Sequence, residues 1–104
     1  RPKMARIASQ LSNHAIFTSD NPRTENAQTI IDEMEVGVSS ENLAKTLSIV
    51  DRKQAIKTAC KLSESGDIVL VAGKGHETYQ EINGERFHFD DLEVVTECLI
   101  QLNK

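Results

Sequence analysis

Two hydrophobic periods alternate along this chain. In "RPKMARIASQLSNH", Met4, Ile7, Ala8 and Leu11 recur at the spacing of one helix face. "HAIFTSD", His14–Asp20, reads as a short strand. "NAQTIIDEMEVGV", Asn26–Val38, returns to the helical period, with Ala27, Ile30, Ile31, Met34 and Val38 on one side. "TLSIV", Thr46–Val50, is a second strand, and Asp51 is placed to cap a helix over Asp51–Glu64. "SGD" turns the chain into "IVLVAG", Ile68–Gly73. That run is continuously apolar and β-branched, which predicts a strand buried on both faces. "YQEINGERFHF", Tyr79–Phe89, predicts a hairpin, because Asn83-Gly84 suits a two-residue type I′ turn. "DDLEVVTECLIQLNK", Asp90–Lys104, predicts a closing helix with Leu92, Val95, Leu99 and Leu102 inward.

Strand and helix alternate, so the first three strands should run parallel through right-handed crossovers. The fold class is α/β: an open, mostly parallel sheet with flanking helices and a terminal β-hairpin. A chain that opens on a helix with no strand before it reads as a piece of a larger one.

Composition narrows the picture. The 104 residues are 38% hydrophobic, enough for one domain-sized core. Net charge is −4, which argues against a dedicated nucleic-acid binder. No apolar run is long enough to span a membrane and no signal peptide is visible. Cys60 and Cys98 stand alone on helical patterns, as reduced core thiols of a cytoplasmic protein would.

The candidate chemistry lies in two loops. "SDNPR" follows the first strand and "GKGHE" follows the third. Open parallel sheets bind ligands beyond the carboxyl ends of their strands, so these loops should share one rim. Asp20 and Asn21 can hold the corner through bonds to nearby backbone, and Pro22 stiffens it. Arg23 then offers a planar fork suited to carboxylate or phosphate. Gly73 and Gly75 permit close ligand approach, and Lys74, His76 and Glu77 add two potential cations and one anion. An arginine on one loop facing a glutamate on the next suits a zwitterion. The phosphate-loop pattern G-x-x-x-x-G-K-[ST] is absent, and His76 has no second ligand at metal spacing, so no metal site is expected. Asp90-Asp91 reads as helix capping, and an ordinary solvated Arg23 remains the bland alternative.

The motifs "TSDNPRTEN" and "VLVAGKGHETYQ", with the later "FDD", resemble the C-terminal domain of the Mur ligases of peptidoglycan synthesis. The resemblance covers essentially the whole chain, and the two motifs in this order are most similar to the branch that adds meso-diaminopimelate. It implies a Rossmann-like third domain of a cytoplasmic, ATP-dependent ligase. The first strand and an upstream amino-acid-contacting arginine would be missing. ATP and Mg2+ would bind mainly in the central domain, and UDP-MurNAc-L-Ala-D-Glu would be held by the missing parts. Asn21, Arg23, Gly73 and Glu77 would bind the distal end of meso-diaminopimelate, with Asp20, Pro22 and Gly75 shaping the loops. The family chemistry is acyl-phosphate formation followed by amine attack. This domain would position the amine, contribute no catalytic residue, and be inactive alone. Lysine-adding relatives lack the arginine, so Arg23 favours diaminopimelate over lysine. Two other classes stay open: a receiver-like domain using Asp20 and Lys74, and a non-enzymatic interaction module.

Overall fold

The computed structural model describes residues 1–74 and 77–104. Gly75, expected to shape the second loop, and His76 lie outside the described residues. The chain is α/β. Helix α1 (Pro2–Leu11) leads to β1 (Ala15–Phe17), α2 (Ala27–Val36), a 3₁₀ turn at Leu43–Lys45, β2 (Thr46–Ser48) and α3 (Arg52–Leu62). Strands β3 (Tyr79–Ile82) and β4 (Glu85–His88) and helix α4 (Asp91–Gln101) follow. β1 and β2 pair in parallel, Ile16 opposite Leu47, as strand–helix alternation predicts. β3 and β4 are antiparallel, Glu81 opposite Arg86. Their turn is Asn83-Gly84 at φ 51° and 80°, the doubly left-handed backbone of a type I′ turn.

Local chemistry sets the helix ends. Asn26 Oδ1 accepts from Thr29 N at 3.1 Å and starts α2. Asp51 Oδ1 accepts from Gln54 N at 3.0 Å and starts α3, as expected. Asp90 Oδ1 caps α4 by accepting from Leu92 N. Gly37 ends α2, and only glycine fits there because α1 lies directly on it: a Cβ would sit 1.9 Å from Pro2 O.

Two clusters form the core. Ala5, Ala15, Phe17 and Ile31 pack between α1, β1 and α2. Ile56, Cys60, Val94 and Cys98 pack between α3 and α4. Both cysteines are free thiols, and burial raises the Cys60 pKa.

Three expectations need correction. α1 buries Ala5 and Ser9, whereas Met4, Ile7, Ala8 and Leu11 are exposed. The close approach of α1 to Gly37 favours small inward residues over large ones. α4 turns Val94 and Cys98 inward and leaves Leu92 75% exposed. Val95, Leu99 and Leu102 are partly buried and pack against that core as expected, so the correction concerns Leu92. The run Ile68–Gly73 is not a strand, and Ile68 and Leu70 are 95% and 85% exposed. Its Val71 packs on the α3–α4 cluster, but no strand among the described residues pairs with its edge. A ladder needs a neighbour, and an apolar run cannot report whether one is present.

Candidate functional site

The polypeptide leaves β1 through Thr18 and Ser19, and Ser19 is anchored three times. Its N and Oγ both donate to Val50 O, at 3.3 and 2.7 Å, and its Oγ accepts from Gln80 Nε2 at 3.0 Å. Arg52, at the start of α3, is buried beneath this point. Its guanidinium donates to Ser19 O at 3.2 Å and Ala72 O at 3.1 Å, and grips Asp91 through two bonds of 2.8 and 2.7 Å. One side chain thus ties the exit of β1, the end of the apolar run and the start of α4. Asp91, expected to cap a helix, is the arginine's partner.

Above this hub the two loops meet. Lys74 Nζ lies 3.0 Å from Asp20 Oδ1, but out of line for a hydrogen bond, so the contact is a charge pair. The ammonium donates instead to Tyr79 O and sits 5.7 Å from the Phe89 ring centre. The Lys74 side chain is wholly buried. It is therefore not a cation of the rim, as its place in the motif suggested. Asp20 and Asn21 also depart from expectation: their side chains reach across to other segments rather than to local backbone. Asn21 Oδ1 accepts from Glu81 N at 2.7 Å, and Asn21 Nδ2 donates to Glu77 Oε1 at 3.3 Å. The two loops meet as expected, although the second one follows no strand.

Pro22 is buried, and its carbonyl accepts from Glu25 N to close the corner. Arg23 has φ 56°, a left-handed conformation uncommon for a residue other than glycine. It is held there by the hairpin: Arg23 N donates to Glu81 O at 2.9 Å and Asn83 N donates to Arg23 O. Its side chain is 57% exposed, with one bond to Asn21 O at 3.3 Å and a loose 3.9 Å approach to Glu81. Most of the guanidinium fork is open. Arg23 stands three residues ahead of the Asn26 cap, outside the α2 terminus itself.

Gly73 has φ 112°, where a side chain is strained, and a Cβ would meet Asp20 Oδ2 at 3.4 Å. Glu77 is half-buried, and Tyr79 Oη donates to its Oε2 at 2.9 Å. That bond to an anion raises the Tyr79 pKa above its ordinary value. Arg52 and Glu81 were not legible as site-building residues, because they act through partners far along the chain; Tyr79 was not either, although it bonds Glu77 only two positions away. An open cleft of about 810 Å³ is lined by Ser19, Pro22, Thr24, Asn26, Asp51 and Phe89 among others, but not by Arg23, Gly73 or Glu77.

The arrangement pairs an exposed guanidinium with a fixed carboxylate on adjoining loops. The Asp20–Lys74 contact also imitates a receiver domain. Among the described residues, however, no three His, Cys, Asp or Glu side chains gather as a metal-dependent receiver or a metal site requires. No helix among them is long and apolar enough to cross a membrane.

Known proteins resemble this chain over its length. The chain is 57% identical over 104 residues to the UDP-N-acetylmuramoyl-L-alanyl-D-glutamate--2,6-diaminopimelate ligase of Cytophaga hutchinsonii, covering 100% of this chain and 21% of that protein. It is 59% identical over 97 residues to the ligase of the same name from Bacteroides thetaiotaomicron, covering 93% and 20%. A solved structure of a ligase of that name superposes with a TM-score of 0.91 at 43% identity, over 100% of this chain and 21% of that one. The chain thus spans about a fifth of the length of these relatives. The family model described as "Mur ligase, glutamate ligase domain" matches residues 1–75, and with the relatives it shows that the chain belongs to the Mur ligase family.

Proposed function

We propose that this chain is the amino-acid-binding C-terminal domain of an ATP-dependent ligase that adds meso-diaminopimelate to UDP-MurNAc-L-Ala-D-Glu. The observation that carries the reading is the join between the loops. Asn21 bonds Glu77 while Arg23, two residues on, is held left-handed with its fork open. The names of the relatives supply the substrate.

Glu77 takes the distal ammonium of the amino acid and Arg23 the distal carboxylate. Asn21 keeps a second N–H for that carboxylate. Gly73 offers backbone to the same zwitterion from a conformation that a side chain would strain. Asp20, Pro22 and Gly75 shape the two loops. Holding the amine near an acyl phosphate is the entropic part of catalysis, and no proton transfer is assigned to this domain. ATP and Mg2+ fit elsewhere: the described residues gather no metal-ligand group, and the sequence has no phosphate loop. They belong to the central domain of a cytoplasmic, three-domain protein, and this domain alone makes no amide bond. A strand from preceding sequence would complete a Rossmann-like sheet.

The test is selectivity in the full-length ligase. Arg23→Ala should lower kcat/KM for meso-diaminopimelate by about ten- to a hundredfold, the worth of a charge-assisted hydrogen bond. Weak turnover of lysine, which lacks the second carboxylate, should fall little. Equal losses for both amino acids would assign Arg23 to folding or domain closure instead.

A further inference from the structure

Glu77 is oriented by neutral donors. The Tyr79 phenol donates to Oε2 at 2.9 Å and the Asn21 amide to Oε1 at 3.3 Å. Among the described residues no lysine or arginine pairs with this carboxylate. Each carboxylate oxygen has two lone-pair directions, so one bond apiece fixes the group and leaves a position on each oxygen for a ligand. A cation in either place would also orient the group, but it would cancel the charge that an ammonium needs.

The cation that could do so is diverted. Lys74 shares the motif with Glu77, yet its ammonium is buried against Asp20 and donates to the carbonyl of Tyr79. Tyr79 therefore takes Lys74 on its backbone and Glu77 on its side chain. The ring is itself pinned. Tyr79 pairs with His88 across the hairpin, which makes Arg86 its diagonal neighbour, and the Arg86 guanidinium carbon lies 4.4 Å from the ring centre. The type I′ turn sets this register, so the hairpin aims the phenol.

We propose that Tyr79 is a positioning residue of the rim, whose phenol fixes the Glu77 carboxylate to receive the amino acid's distal ammonium. The inference rests on the role given to Glu77 above. An ammonium is common to diaminopimelate and lysine. Tyr79 thus sets the affinity for a side-chain amine without choosing between the two, whereas Arg23 chooses.

The experiment compares Tyr79→Phe, Glu77→Gln and the double variant in the full-length ligase, with meso-diaminopimelate and lysine as substrates and the thermal midpoint as control. Tyr79→Phe should raise KM for diaminopimelate about tenfold, the loss of one charge-assisted hydrogen bond. kcat should stay within about twofold, kcat/KM for lysine should fall by a like factor, and the midpoint should hold. The double variant should be no worse than Glu77→Gln, because the two groups act as one. An unchanged KM in Tyr79→Phe beside a raised KM in Glu77→Gln overturns the tyrosine's role and leaves the rim intact. Additive losses, or a fall in midpoint and kcat without a KM effect, overturn it as well. If Glu77→Gln is itself silent, the ammonium role of Glu77 fails and the inference falls with it.

Discussion

The two loops at the sheet edge treat their cations in opposite ways. The Asp20–Arg23 loop exposes its arginine and turns its aspartate inward. The Gly73–Glu77 loop buries its lysine and keeps its glutamate at the rim. Each carries an acid and a lysine or arginine three positions apart, so the difference does not lie in the type of these charges. It lies in the backbone and in what stands below. A left-handed Arg23, stitched to β3, has its side chain outside; Lys74 finds a carboxylate, a carbonyl and two aromatic rings beneath the surface. Of these four charges, Arg23 and Glu77 face the rim with opposite signs, while Asp20 and Lys74 pair below it. The buried cations hold the loops together, and the exposed one is the guanidinium that the proposed function gives to the ligand.

The strongest way to break that division is at Arg52, the buried cation with the most hydrogen-bond partners. Removing it strands the Asp91 carboxylate and two carbonyls that it satisfies. Arg52→Leu should cost about 3–5 kcal/mol, the usual consequence of leaving one half of a buried pair. Urea unfolding of the chain measures it. A loss below 1 kcal/mol would show that water replaces the guanidinium and that the hub is not structural.

Lys74→Met comes next, at about 3 kcal/mol and toward the low end of that range. Asp20, its partner, is one-third exposed and can be resolvated. Adding Asp20→Asn should return part of the loss, since the stranded charge is then gone. If Lys74→Met is neutral in urea but changes substrate affinity, the lysine belongs to the rim after all.

Arg23 should behave in the reverse sense. A left-handed backbone costs an L-residue about 1–2 kcal/mol, and glycine adopts it freely at some entropic cost of its own. Arg23→Gly should therefore leave stability unchanged or raise it by up to about 1 kcal/mol. The same variant should lose the preference for diaminopimelate over lysine in the full-length ligase. A destabilisation would mean that the arginine side chain supports the corner rather than the ligand.

What the sequence disclosed follows the range of each interaction. The Asn83-Gly84 turn and the Asp51 cap depend on neighbours within a few residues, and both stand as read. The parallel pairing of β1 with β2 follows from strand–helix alternation. The inward face of α1 was hidden, because apolar spacing favours Met4, Ile7 and Leu11 and says nothing of how closely Gly37 admits the helix. Ile68–Gly73 was misread for a related reason, as composition does not reveal whether an edge has a partner. At the site, the motif residues Asn21, Arg23, Gly73 and Glu77 were legible as types. That Asn21 bonds Glu77, 56 positions away, was not. Nor was the burial of Lys74, which looks in sequence like the most accessible charge of its loop.

The smallest effect is the easiest to observe. The chain has one tyrosine, so its phenolate absorbance reports Tyr79 alone. The bond to Glu77 raises the Tyr79 pKa above the ordinary phenol value of about 10, because deprotonation would set a phenolate against a carboxylate. The folded pKa then exceeds the unfolded one. The bond's contribution is whole below about pH 10 and is lost as pH climbs through the raised value. An ultraviolet titration of the folded chain should place the midpoint above that of the chain in urea. Glu77→Gln should move it back down, since a neutral amide no longer penalises the phenolate. Asn21→Ala should leave it raised, because Asn21 holds the other carboxylate oxygen. If Glu77→Gln leaves the midpoint where it was, the phenol does not hold the carboxylate in solution. The two loops would then be joined to the hairpin through their backbone and through Asn21 and Lys74.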